Sequence, residues 1–300
     1  MKRVIVVAGP TASGKTNLAV HIAKKIGGEI ISADSMQIYK EMNIGTAKPT
    51  VDEMQGIPHY MTGEVSIRTP YSVALYQKNA FLYIDDILSR GKTPIVAGGT
   101  GLYINSLLYK LDFTETVRDE KYREELGKLS VDELYMRLSK LDTDAAARIH
   151  KNDKKRLIRR LEILKNGGEK GYSFREKNTD YDFCCVGIGM NRKELYQRIE
   201  LRVDEMVRAG LVEEVRTLYK KYPAELTALK AIGYREIIAY LNGRGTLEDA
   251  IEEIKKNTRR FAKRQLTWFN NDDGIKWFSL SEYEDSKALK NAVIRYIMRL

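Results

Sequence analysis

Cysteine is nearly absent: Cys184 and Cys185 are the only two among 300 residues, and they are neighbours. In an extended stretch adjacent side chains face opposite sides, so this pair supports neither a disulfide framework nor a zinc site, and both are expected in the core. The three histidines, His21, His59 and His150, lie far apart with no metal-ligand spacing. No apolar run approaches the ~20 residues of a membrane span. The chain opens on a strand-like run at residues 4–8 rather than on a cleavable leader, and a cytoplasmic protein with no membrane partner is expected. A G-x-S-x-G elbow and an N-K-x-D-like segment are both missing, which removes serine-hydrolase chemistry and guanine selection. Repeats, low-complexity tracts and long linkers are also lacking.

What is present is a 43% hydrophobic, 31% charged chain, long enough for one or two domains with a sizeable core. Fifty-one Lys and Arg against 41 Asp and Glu give a net charge of +10, a basic excess that invites a polyanionic partner. The excess gathers at Arg148, Lys151, Lys154, Lys155, Arg156, Arg159 and Arg160, and again at Lys255, Lys256, Arg259, Arg260, Lys263 and Arg264.

The segment Gly9-Pro10-Thr11-Ala12-Ser13-Gly14-Lys15-Thr16 is a complete phosphate-binding loop, preceded by Val4-Ile5-Val6-Val7-Ala8. Small residues let successive backbone N–H groups converge on phosphate oxygens, Lys15 adds charge, and the Thr16 hydroxyl can ligate Mg²⁺. Leu18, Ala19, Ile22, Ala23 and Ile26 follow at helical spacing, which puts a helix N-terminus against the anion. The loop announces a polyphosphate; by itself it leaves open whether that is a nucleotide, a substrate or a leaving group.

Strands at 3–8, 29–33 and 93–97 alternating with helices at 15–26 and 71–90 predict an α/β fold: a parallel sheet core carrying the phosphate loop, flanked by helices. Gly98-Gly99-Thr100-Gly101 ends the last of these strands at the carboxyl edge, where open sheets bind ligands. Residues 112–182 read as charged amphipathic helices, hence a helical insertion domain. The core is assigned 1–111 and 183–300, with a strand at 181–190 rejoining the sheet, helices at 192–270 and a final strand at 275–280.

Asp34 leaves the second strand beside the loop, and residue type alone allows a Mg²⁺ ligand, a general base or a turn cap shared with Ser35. Because residues 94–97 run into Gly98-Gly99-Thr100 with no carboxylate, the usual metal-binding acid of an NTP hydrolase is missing and Asp34 is the acid left near the phosphates. Arg198 and Arg202 lie four residues apart and by pattern form a solvated stripe. The cluster Lys230-Ala231-Ile232-Gly233-Tyr234-Arg235 joins glycine, tyrosine and arginine in a way that suits a backbone phosphate and a stacked base. Residues 258–269 interleave basic and aromatic side chains, the basic ones being the candidates for phosphate contact.

Taken in order, Gly9 to Thr16, Ser32-Ala-Asp-Ser-Met-Gln-Ile-Tyr39, Ile44-Gly-Thr-Ala-Lys-Pro49, Gly98-Gly-Thr-Gly-Leu-Tyr103, Ala231-Ile-Gly-Tyr-Arg235 and Ala262-Lys-Arg-Gln265 resemble the bacterial tRNA dimethylallyltransferase (isopentenyl-tRNA transferase) family over residues 3–280. The resemblance implies transfer of a dimethylallyl group from dimethylallyl diphosphate to N6 of adenine 37, in tRNAs that read codons beginning with U. It implies that Gly9, Thr11, Ala12, Ser13, Gly14, Lys15, Thr16 and Arg202 hold the donor's diphosphate with Mg²⁺ on Thr16, and that Asp34, Thr16 and Arg202 are the catalytic group. For tRNA it implies Asp34, Ser35, Met36, Gln37, Thr100, Arg123, Lys155, Arg156, Leu157, Ile158, Arg159, Lys230, Gly233, Tyr234 and Arg235, meeting the anticodon stem-loop. A monomer without the zinc finger of eukaryotic members is expected. Tyr60 to Gly63, Arg160 and Arg260-Phe261 depart from the family pattern. The rivals are an adenylate isopentenyltransferase, which has no use for the insertion or the basic clusters, a phosphate-loop kinase with Asp34 as base, and a non-catalytic RNA-binding protein.

Overall fold

The structure, a computed structural model, describes residues 2–111, 119–167 and 176–299. Six strands, β1 (Arg3–Ala8), β2 (Gly28–Ala33), β3 (His59–Tyr60), β4 (Thr93–Gly98), β5 (Asp182–Gly189) and β6 (Lys276–Ser279), form one all-parallel sheet in the order β3-β2-β4-β1-β5-β6. Thirteen α-helices accompany them among the described residues: α1 (Lys15–Ile26), α2 (Val51–Met54), α3 (Val73–Ser89), α4 (Gly101–Leu108), α5 (Glu120–Gly127), α6 (Val131–Leu141), α7 (Thr143–Arg148), α8 (Lys154–Lys165), α9 (Arg192–Arg208), α10 (Leu211–Lys221), α11 (Tyr234–Leu241), α12 (Leu247–Phe269) and α13 (Ser286–Arg299). This is the α/β sheet flanked by helices that the alternation of elements predicts.

Two compact units result, one of residues 1–108 and 178–300, the other Tyr109–Lys177. The insertion was expected at 112–182. Its exit lies earlier because Asn178 donates its backbone N–H to the Leu108 carbonyl at 2.8 Å, and Asp182 already opens β5 opposite Arg3. Residues 112–118 and 168–175 of that expected insertion lie outside the described residues.

Strand β1 is almost wholly buried, as a central parallel strand covered on both faces must be. One face, with Ile5, Val7, Ile30, Ile95, Cys184 and Val186, packs on Leu18 and Ile22 of α1 and on Leu289, Val293 and Ile297 of α13. Helix α13 was not anticipated, although those last three residues recur at the four-residue spacing of one helix face. Cys184 and Cys185 are both buried and form no disulfide, and burial pushes the Cys184 thiol up to about 11.

Register fixes what the sheet can do. Ala8 pairs with Gly98, Ala33 also pairs with Gly98, and Ala8 pairs with Gly187, so the carboxyl ends of β1, β2, β4 and β5 lie level. The phosphate loop, Asp34 and the Gly99-Thr100 turn therefore emerge side by side, although they are far apart in sequence.

In the helical unit, Leu126, Leu134, Leu138, Ala145, Ala146, Leu157 and Leu161 make the core. Arg160, a departure from the family pattern, is buried and pairs with the buried Asp142 carboxylate. Tyr60 is another departure; its hydroxyl donates to Glu29 at 2.8 Å and its ring stacks on Tyr83.

Candidate active site

Gly14 stands at φ 89°, a left-handed conformation that glycine adopts without strain, and it turns the chain from the loop into α1. Ala12 is buried against Leu195 and Ile199 of α9 and Ala262 of α12, Ser13 is buried, Thr11 is half-buried, and the Lys15 ammonium folds back to donate to the Pro10 carbonyl at 3.2 Å. Desolvation in this cleft lowers Lys15 to about 8; Asp34 opposes that shift and Arg202 adds to it. Three groups that were read from separate segments are thus within electrostatic reach of one another. Arg202, on α9, is depressed by burial, with Glu53 and Glu205 opposing. It faces the loop rather than solvent, so the reading of Arg202 as part of a solvated stripe is corrected.

Asp34 answers the open question of base or cap with both geometries. Its Oδ1 accepts from the N–H groups of Met36 at 2.9 Å and Gln37 at 3.3 Å, which fixes the turn, while the carboxylate also lines the cleft beside Lys15. Thr100 Oγ1 accepts from the Ser35 N–H at 3.0 Å, tying the two strand ends together. Gln37 Oε1 accepts from Ser32, and its amide donates to the Thr46 and Ala47 carbonyls at 3.2 and 3.0 Å.

These residues open on a cavity of about 400 Å³. Its polar end carries Thr11, Lys15, Asp34, Thr100 and Arg202; its apolar wall is Ile199, Val203, Met206, Ile232, Ile254 and Phe261. A smaller cavity of about 290 Å³ shares Lys15 and Arg202 with it and is lined by Ala12, Gly14, Thr16, Asn17, Asp52, Glu53 and Gln55. Polyphosphate groups and a short hydrocarbon find matching surfaces here, charged in one cavity and apolar in the other.

Two supports escaped sequence reasoning. Gln265 is buried on α12; its amide donates to the Gly99 carbonyl at 2.8 Å and its Oε1 accepts from the Thr11 N–H at 2.8 Å, which locks the loop to the glycine turn. Glu214 on α10 accepts from the backbone N–H groups of Asn43 (3.0 Å), Ile44 (2.8 Å) and Gly45 (3.1 Å), and from the Tyr234 hydroxyl at 2.6 Å. Lys48 holds the other side of that strap, donating to the carbonyls of Tyr39 (2.6 Å) and Lys40 (3.0 Å) and to Asn43 Oδ1 (2.8 Å). Burial lowers Lys48 to about 8, with Glu214 opposing. Only glycine fits at 45, since a Cβ there would lie 2.5 Å from the Tyr234 ring.

Several assignments change. Tyr234 is fully buried and committed to Glu214, so it shapes the strap and offers no ring for base stacking. Leu157 is fully buried in the helical unit's core and cannot reach RNA; Ile158 packs against the same core. Arg123 and Arg159 both bind the buried Glu162 carboxylate, at 2.8 and 2.6 Å. Burial favours the neutral acid, but the two guanidinium bonds outweigh it and hold Glu162 below its ordinary range. The exposed cations of α8 are Lys155, Arg156 and Lys165, the last of which is paired with Asp119. Lys230 and Arg235 are exposed at the rim of the larger cavity, where Ser35, Met36 and Gly233 also line it.

A family described as "IPP transferase" matches residues 37–272, and one described as "Isopentenyl transferase" matches residues 2–69. The chain belongs to the IPP transferase family. Among its relatives, a tRNA dimethylallyltransferase of Thermoanaerobacter sp. (strain X514) is 47% identical over 98% of this chain and 97% of the relative. Another, from Clostridioides difficile (strain 630), is 45% identical over 99% and 98%. The crystal structure of the full-length tRNA isopentenylpyrophosphate transferase of Bacillus halodurans superposes with a TM-score of 0.77 at 40% identity, covering 99% of this chain and 96% of that one. A eukaryotic dimethylallyltransferase acting on tRNA gives 0.84 at 33%, covering 98% and 78%. The IPP transferase chain is therefore an enzyme, a transferase acting in tRNA modification, and the kinase and non-catalytic readings fall away.

The lowered Lys15 gives this transferase a pH signature. If an anion must meet a protonated Lys15, its affinity is constant below pH 8 and weakens by up to about tenfold per pH unit above it, because the free enzyme then has to take up a proton to bind. Titration with a non-reactive allylic diphosphate analogue across this range checks it. Lys15→Arg should erase the break, since guanidinium does not titrate there.

Proposed function

We propose that the chain transfers the dimethylallyl group of dimethylallyl diphosphate to N6 of adenine 37 of tRNAs reading codons that begin with U, releasing diphosphate. The observation that carries this reading is the larger cavity, in which Lys15, Arg202 and Asp34 sit at one end of an apolar wall. The allylic C–O bond breaks and its electron pair leaves with the diphosphate. The growing negative charge meets the loop N–H groups, Lys15 and Arg202, donors already in place before reaction. The N6 nitrogen forms the new C–N bond and gives up a proton to Asp34, because its lone pair is otherwise delocalised into the ring. Ile199, Val203, Met206, Ile232 and Phe261 exclude water from the allylic carbon, which would otherwise be hydrolysed.

Mg²⁺ fits beside the loop. The Thr16 hydroxyl has no hydrogen-bond partner among the described residues and lines the same cavity as the Asp52 and Glu53 carboxylates, a hard oxygen donor set. Thr16, together with diphosphate oxygens, would hold the ion, which supplies charge neutralisation on the leaving group.

The acceptor base must leave the anticodon-loop stack, which costs only a few kcal/mol for a single-stranded nucleotide. Met36, Ser35 and Thr100 at the polar end, with Lys230 and Arg235 at the rim, receive it and its flanking phosphates. In the helical unit Lys155 and Arg156 supply further phosphate contacts. Lys155→Gln with Arg156→Gln is expected to weaken tRNA binding and to lower the slope of log affinity against log salt by about 2, one per contact. Filter binding between low and physiological salt reads the slope; an unchanged slope removes α8 from the RNA surface. No helix among the described residues is long and apolar enough to cross a membrane, and the reading places the enzyme in the cytoplasm as a monomer.

The test is incubation of the pure chain with dimethylallyl diphosphate, Mg²⁺ and either unmodified tRNA or AMP, followed by nucleoside mass analysis. N6-dimethylallyladenosine in tRNA at position 37 is the expected product. Modification of AMP with tRNA untouched would move the chain to the free-nucleotide reaction.

A further inference from the structure

A third cavity, of about 170 Å³, borders the phosphate loop, walled by Ser13, Gly14, Asn17, Arg198, Ser286 and Lys290 together with Leu18, Ile188, Leu280 and Leu289. The reaction proposed above uses none of its polar side chains. Two features set it apart from a packing defect. Its charged residues are Arg198 and Lys290, one from α9 and one from α13, and neither has a hydrogen bond or ion pair with any described residue; no carboxylate lines the cavity. Ser13 is 3% exposed, and its Oγ is a buried hydroxyl without a hydrogen-bond partner. An unpaired buried hydroxyl costs about 1–3 kcal/mol, so such a group in a native wall calls for a ligand. Arg198 is exposed and Lys290 half-buried, so an anion entering this space would meet two cations that no carboxylate already neutralises.

We infer that this cavity is a second anion site, built to take a phosphate or diphosphate group between Arg198, Lys290 and the Ser13 hydroxyl. The first turn of α13, which begins at Ser286, adds a helix N-terminus that favours the same sign of charge. Size agrees: the space would hold several waters at ~30 Å³ each, enough for a phosphate or diphosphate group. Gly14 and Asn17 also line the cavity of about 290 Å³ that carries Thr16 and Arg202, so the two spaces share the turn into α1 as a common wall. The inference stands without the assignment of the prenyl reaction, because the Arg198 and Lys290 side chains and the Ser13 hydroxyl, which carry it, take no part in that reaction; Ser13 and Gly14 serve the reaction only through the loop backbone.

Calorimetric titration with inorganic phosphate and, separately, inorganic diphosphate decides it. Wild type is expected to bind two diphosphates; Lys290→Glu should weaken one of them by at least about tenfold, as loss of a charge-assisted contact with reversal of sign requires, while kcat for prenyl transfer stays unchanged. Arg198→Gln should weaken the same site. Lys15→Ala should remove the other site and leave this one, which separates failure of the second site from failure of the loop assignment. Phosphate filling only the site sensitive to Lys290 would assign it to single phosphate groups, and diphosphate alone filling it would assign it to the leaving group. A single diphosphate per wild-type chain, or two that are both indifferent to Lys290→Glu, overturns the inference. Circular dichroism of each variant verifies that the fold is retained.

Discussion

Asp34→Asn is expected to lower the single-turnover rate of prenyl transfer by about 10²–10⁴-fold, the usual contribution of a positioned general base, with tRNA affinity within a few-fold of wild type. The asparagine variant is chosen because of the geometry. The Oδ1 of Asp34 accepts from Met36 and Gln37, and an amide oxygen can keep both bonds while its nitrogen can no longer take a proton. Asp34→Ala removes base and cap together and so should add a loss of stability of about 1 kcal/mol. A wild-type rate for the asparagine variant would leave Asp34 as a turn cap alone.

Glu214→Ala carries the second large effect, and it acts at a distance. Glu214 does not line the cavity, yet it satisfies three consecutive N–H groups of the strap that forms the Gly45-Thr46-Ala47 wall, and it accepts a hydrogen bond from the hydroxyl of the buried Tyr234. Its loss leaves four donors without an acceptor; with about 1.5–3 kcal/mol for each bond to a charged group and partial rescue by water, stability should fall by about 3 kcal/mol or more. Catalysis should suffer through the acceptor side, with KM for tRNA rising and the donor's KM little changed. Glu214→Gln keeps one acceptor oxygen, enough for two of the four donors, and turns an NH2 group toward the other two, so it should recover only part of both. Denaturant titration and steady-state kinetics read these together; a donor-side KM effect instead would place the strap's role elsewhere.

The phosphate loop was legible because it is local: eight consecutive residues with a strand before and a helix after. Asp34 and the Gly98-Gly99-Thr100 turn were legible as single strand ends, and the parallel sheet aligns them because Ala8 and Ala33 both pair with Gly98. Gln265 reaches Thr11 across 254 positions and Glu214 reaches Asn43 across 171, and no local pattern carries such a partnership. Gln265 appeared in the sequence only as part of a family motif, with no task. Tyr234 and Leu157 mark the opposite failure. Each sits beside basic residues, which made it look like part of an RNA surface, but a helix turns about 100° per residue and puts the neighbour of an exposed arginine into the core. The strand β3, only two residues long, is too short for alternation to show.

The apolar wall beside the loop was the decisive gain from three dimensions. Ile199, Val203 and Met206 recur at helical spacing and Phe261 is one aromatic among basic residues, but neither pattern says that they face the same space as Lys15 and Asp34. A loop that by motif alone suits ATP thus opens on a surface suited to hydrocarbon.

The most direct test of that account is the balance of phosphates in a single reaction. With labelled dimethylallyl diphosphate, tRNA, Mg²⁺ and ATP present together, one diphosphate should be released for each dimethylallyl group found in tRNA, and the ATP should remain intact. Consumption of ATP in step with transfer, or prenylated tRNA without matching diphosphate, would contradict the claim that the loop cradles a departing diphosphate.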